Sequence, residues 1–134
     1  MSGLVLKLGP NERVLINGAV IENGNRRGRL NIVTPGASIL RLRDALHPDE
    51  VNTPVRRVCY IAQLVLCGEA DAADARPQLL RGIEQLSQVL TDEESREHLS
   101  HATDSVLASQ HYFVLKHLRM LLPREERLMA VAVS

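Results

Sequence analysis

The residues with the greatest chemical reach in this chain are its histidines, its two cysteines and a set of cations near the N-terminus. His98 and His101 lie three apart, with Glu94 one turn before and Asp104 one turn after. On a helix these four side chains share a face, and such a face can hold a divalent metal. The plainer reading is a solvated polar face, and it is preferred: no metal and no cofactor is expected. His111 and His117 fall on a later apolar-periodic stretch as ordinary boundary residues. Cys59 and Cys67 are eight apart, about 12 Å along a helix axis, too far for a disulfide and in no zinc-binding pattern. They read as buried free thiols suited to a reducing cytoplasm. The sequence has no phosphate-binding glycine loop, no strand–GxGxxG–helix, no GxSxG elbow and no spacing that singles out a catalytic triad. The expectation is therefore a protein that is not an enzyme.

The cations remain. Residues 1–43 carry seven bases, Lys7, Arg13, Arg26, Arg27, Arg29, Arg41 and Arg43, against only Glu12 and Glu22. The rest of the chain carries nine bases against 14 acids, so a formal net charge of zero conceals a dipole. A basic face attracts polyanions such as RNA; the bland alternative is that the two halves attract each other. Arg26, Arg27 and Arg29 crowd one turn, and Arg41 and Arg43 are expected on one face of a strand. All seven are taken as candidate RNA contacts. Tyr60, Tyr112 and Phe113 all lie beyond residue 43, so base stacking on an aromatic-bearing sheet is excluded for the basic module.

The elements that would position these cations are short strands. Leu4, Leu6 and Leu8 alternate with Val5, Lys7 and Gly9, the period of a half-buried strand. Arg13–Ile16 and Ala19–Glu22 flank Asn17-Gly18, a tight-turn pair. Arg29–Thr34 and the run Ile39, Leu40, Leu42 supply a fourth and fifth strand, with Pro35-Gly36 between them. Five short strands joined by Gly, Pro and Asn turns predict an antiparallel sheet or small open barrel.

The period then changes. Asp44–Asn52 is a polar connector with room for a helical turn. Thr53-Pro54 is a helix entry, and Val58, Ile61, Ala62, Val65 and Leu66 fall at helical spacing before Gly68 stops the helix. A second helix starts near 75–77, with Leu79, Leu80, Ile83, Leu86, Val89 and Leu90 as its apolar stripe. Thr91 and Glu94 are read as the capping box of a third. A fourth, Gln110–Leu122, ends at Pro123, leaving an apolar tail at 128–133 to pack or frame a partner contact. The prediction is an α+β protein: a basic β module, residues 1–43, then an acidic four-helix region, residues 44–134. No signal peptide or membrane-spanning stretch is visible, so a cytoplasmic location without membrane attachment is expected. Exposed strand edges favour pairing between two copies, a homodimer.

Several segments resemble one family. The Leu4-Val5-Leu6-Lys7-Leu8 strand, Glu12-Arg13, the run Ile16-Asn17-Gly18-Ala19-Val20-Ile21-Glu22-Asn23-Gly24 and Arg27 resemble the start of FlbT proteins. Asn52-Thr53-Pro54 before an Arg-containing helix, and the stretch from His111-Tyr112 to Leu122-Pro123, resemble their later parts. The resemblance implies flagellar regulation after transcription: association with the 5′ untranslated leader of flagellin mRNA, and either decay of the message or a block to its translation. In some members the effect is activation. It also implies work alongside a small partner, FlaF. The alternative, suggested by the helical half and the apolar tail, is an adaptor or chaperone-like module acting through flagellin or FlaF. The resemblance assigns no RNA-contacting residues. The Asn-Gly pairs within the 16–24 run are equally what tight turns require.

Overall fold

The computed structural model describes residues 4–133. Residues 1–3 of the basic module and residue 134 lie outside the described residues. Five strands come first: β1 Leu4–Leu8, β2 Arg13–Ile16, β3 Ala19–Glu22, β4 Gly28–Ile32 and β5 Ile39–Arg41. They form two antiparallel sheets. One is β1–β4, with Leu6 opposite Leu30; the other has the order β3-β2-β5, with Leu15 opposite Leu40. The chain is α+β as expected, and its strands divide between two facing sheets.

Alternation explains the division. Leu6 and Leu8 of β1 meet Val14 of β2 and Ile39 of β5 in a small core between the sheets. Leu15 and Leu40, on the opposite face of the second sheet, pack against the helices. That sheet is thus the middle layer, buried on both sides along β5, where Ile39 and Leu40 are both 2% exposed. The β2–β3 hairpin turns at Asn17 (φ 48°) and Gly18 (φ 85°), the left-handed pair that matches the twist of a two-residue hairpin. Asn17 Oδ1 also accepts from the Ser38 amide at 2.9 Å, tying the turn to the strand beyond.

Two short 3₁₀ turns, Leu42–Asp44 and Pro48–Glu50, fill the connector. Then come α1 Pro54–Leu66, α2 Ala72–Val89, α3 Glu93–Leu107, α4 His111–Arg119 and α5 Leu122–Val133. Among the described residues the helical part has five helices, not the expected four. Pro123 does not close the fourth helix; it sits in the first turn of the fifth, where the amide it lacks has no intrahelical partner. Two other helix starts differ. Asp71 caps α2 by accepting from the Ala73 amide, which places Pro77 inside the helix. Asp92, not Thr91, caps α3, its carboxylate accepting from the Ser95 amide at 3.1 Å. A carboxylate is the stronger acceptor at a helix N-terminus because the exposed amides there carry partial positive charge.

The helical core is aliphatic, built on Val55, Cys59, Leu79, Val114 and Leu118 among others. Cys59 is wholly buried and Cys67 partly so; both are free. Burial pushes the Cys59 thiol up to about 12, because a thiolate there would be desolvated. Cys59 should therefore resist alkylation in the native protein and react only on unfolding, by mass spectrometry after iodoacetamide treatment. Labelling of Cys59 at a rate independent of added urea would contradict this. No helix among the described residues is long and apolar enough to cross a membrane.

Candidate nucleic-acid interface

The seven N-terminal cations have distinct fates. β1 and β4 present Val5 and Lys7, Asn31 and Arg29 outward, all exposed. In the register of this pair Lys7 stands directly opposite Arg29. Like charges facing each other across an antiparallel pair destabilise it, so no folding benefit accounts for this placement. Lys7, Arg27, Arg29 and Arg43 line one open groove beside Gly9 and Pro10.

The loop before β4 is positioned by a single side chain. Asn23 Nδ2 donates to the Gly9 carbonyl at 2.7 Å and to the Arg26 carbonyl at 2.8 Å. The Asn23 amide donates to the Glu12 carbonyl at 2.8 Å, and the Asn11 amide to the Gly24 carbonyl at 2.7 Å. This lashing holds Arg27 beside the end of β1. Asn17 and Asn23, the polar anchors of the 16–24 run, thus spend their side chains on backbone partners, which accounts for that run by folding.

Arg41 does not join the groove. Its guanidinium turns inward, Nε 2.8 Å from Glu12 Oε2 and Nη2 3.0 Å from Glu12 Oε1, and it also donates to the Lys7 carbonyl. The side chains of Arg41 and Glu12 are only 12% and 9% exposed. The Arg41 hydrogen bond holds the Glu12 carboxyl down to about 2, against the opposing pull of burial. The expectation that Arg41 and Arg43 share one strand face is corrected here. The strand ends at Arg41, and Arg43 lies in the 3₁₀ turn that follows, 61% exposed and 3.7 Å from Glu12. Arg13 pairs with Glu22, its cross-strand neighbour, at 2.7 Å in solvent. Arg26 is exposed on the loop. Among the described residues Lys7, Arg26, Arg27 and Arg29 make no ion pair.

The helical half contributes an aromatic to the strand core, although none lies within residues 1–43. Tyr112 of α4 packs against the core between the sheets, with Phe113 edge-on to it at 5.3 Å. The histidines form a contact of their own: His101 stacks on His117 of α4 at 5.1 Å, and His98 lies 3.9 Å from Glu94. Among the described residues no group of three His, Cys, Asp or Glu side chains is placed to hold a metal ion.

The family model described as "Flagellar protein FlbT" matches residues 4–129. The chain belongs to the FlbT family. It is 31% identical over 124 residues to the probable flagellum biosynthesis repressor protein FlbT of Caulobacter sp. (strain K31), covering 92% of this chain and 94% of that one. It is 32% identical over 124 residues to the protein of the same name from Mesorhizobium japonicum, covering 92% and 83%. It is 29% identical over 123 residues to the flagellum biosynthesis repressor protein FlbT of Caulobacter vibrioides (strain ATCC 19089 / CIP 103742 / CB 15), covering 92% and 86%. No solved structure matches this FlbT chain. The family match spans both the strands and the helices described above, so the groove and the helical bundle lie within one family unit.

Proposed function

We propose that this FlbT chain regulates flagellar synthesis after transcription, by binding the 5′ untranslated leader of flagellin mRNA along the groove of Lys7, Arg27, Arg29 and Arg43. The names of its relatives support a role in flagellum biosynthesis. The observation that carries RNA as the ligand is the unpaired Lys7–Arg29 juxtaposition across β1 and β4. Two cations held opposite each other with no carboxylate between them are relieved by an anion, and a phosphate backbone supplies anions at regular spacing. On this reading the chain performs no chemistry of its own. Occupying the leader blocks ribosomes or exposes the message to cellular ribonucleases.

The test is affinity for leader RNA measured by fluorescence anisotropy against salt. Single-stranded RNA held through three or four phosphates gives a log–log slope of about −2 to −3. Reversing Lys7 and Arg29 together, K7E/R29E, should weaken binding by at least about tenfold and flatten the slope by about 1.4. Reversing Arg13, whose charge Glu22 already meets, should change it much less. A slope near zero, or equal affinity for a scrambled leader, would remove RNA as the ligand.

A further inference from the structure

A second surface lies on the other half of the molecule. α1, α2 and α5 leave a groove between them, and each offers one stripe to it. On α2 the stripe runs from Gln78 to Val89, at spacings of three and four residues, about 17 Å along the axis. Val58, Ile61, Leu86, Leu90 and Leu128 supply apolar lining. Val89 and Met129 also line it, 65% and 44% exposed. Val89 belongs to the apolar period of α2, yet the bundle does not cover it. A groove about three helical turns long, lined by apolar side chains from three helices with Val89 and Met129 left open, is suited to receiving a helix.

Its charge selects the kind of helix. Arg57 of α1 and Arg81 of α2 line the groove, are exposed, and make no ion pair among the described residues. Among the described residues the only carboxylate in the lining, Glu125, is 8% exposed and already accepts from the Val55 amide at 2.8 Å. The α1 to α4 helices of a second copy are poor occupants, because each buries its own apolar stripe in the core.

We propose that this groove docks an amphipathic helix of a partner protein, whose leucine-like face covers Val89 and Met129 and whose flanking carboxylates meet Arg57 and Arg81. The surface is separate from the cationic groove on the strands, so the chain has two binding faces of different chemistry. Two synthetic peptides test it. Both carry leucines at helical spacing; one has glutamates at the flanking positions and the other lysines. Anisotropy should show the glutamate peptide binding at least about tenfold tighter than its lysine twin. The R57E/R81E protein, with its fold checked by circular dichroism, should reverse that preference. Equal binding of the two peptides, binding of neither, or a preference unchanged in R57E/R81E would overturn the proposal. So would a concentration-dependent dimer abolished by Met129→Glu, which would assign the groove to a second copy.

Discussion

Arg41→Met lowers the stability of the protein by about 2–4 kcal/mol in urea titrations at neutral pH. The guanidinium lies between the two sheets, at the end of the small core, and holds Glu12 through two hydrogen bonds. Removing it leaves a carboxylate at 9% exposure with the Gly9 amide and the more distant Arg43 as its remaining company. The loss is then mostly the cost of that stranded charge. Glu12→Leu combined with Arg41→Met should recover part of it, since an apolar pair strands nothing. A double variant worse than Arg41→Met alone would show that the pair stabilises by more than mutual neutralisation.

The same pair sets a pH signature. Glu12 has a folded pKa of about 2 against an ordinary 4.5. A carboxyl depressed on folding contributes stability in full above its unfolded pKa. That contribution declines as pH falls through the window and is gone below the folded value. The native protein should therefore lose this contribution progressively between about pH 4.5 and pH 2. Asp92 is also held down, by the Ser95 hydrogen bonds at the cap of α3, so the wild-type curve alone mixes both. The difference between wild type and Arg41→Met isolates Glu12. If that difference is constant from pH 6 to pH 2, the pairing does not operate as described.

Gly82→Val costs about 2–3 kcal/mol, although glycine inside a helix is itself unfavourable by about 1 kcal/mol relative to alanine. A Cβ at position 82 would stand 2.7 Å from Cγ2 of Val58 and 3.3 Å from Cγ1. Val58 is 5% exposed and branched at Cβ, so its methyls have no free rotamer to retreat into. Gly82 is thus what lets α1 and α2 approach. The decisive comparison is a cycle with Val58→Ala, which removes the obstructing methyls. The double variant should be more stable than the two single costs predict, by at least about 1 kcal/mol. Simple additivity would show that the glycine is not placed there for helix contact. Because Gly82 and Val58 also line the groove between α1, α2 and α5, the same variants should weaken helix docking there.

Much of the scaffold was legible from local chemistry. Leu4, Leu6 and Leu8 alternate, and the structure buries the last two. Asn17-Gly18 makes the hairpin turn, Thr53 accepts from the Arg56 amide to open α1, and Gly68 at φ 79° follows its end. Each is settled by a residue and its immediate neighbours. The misreadings share a cause: at Pro123, Thr91 and residues 75–77 a local signal admits two outcomes. Proline ends a helix or sits in its first turn, and Thr91 and Asp92 compete for one set of amides. Which outcome holds depends on what the segment packs against. The candidate site was legible as a list of seven cations and illegible as a surface. Nothing in the order of residues says that Arg41 turns in to Glu12 while Lys7, Arg27, Arg29 and Arg43 gather outside.

The sequence by itself determined the five strands, the change of period near residue 44, the helix entries at Thr53 and the aliphatic character of the core, because these follow from side chains three or four positions apart at most. Tertiary structure alone decided the rest. It brought the Glu125 carboxylate to the Val55 amide across 70 residues, Tyr112 to the strand core, and Arg57 and Arg81 to one apolar groove. Those contacts depend on how whole elements pack, and packing is set by the sum of buried surfaces rather than by any spacing along the chain.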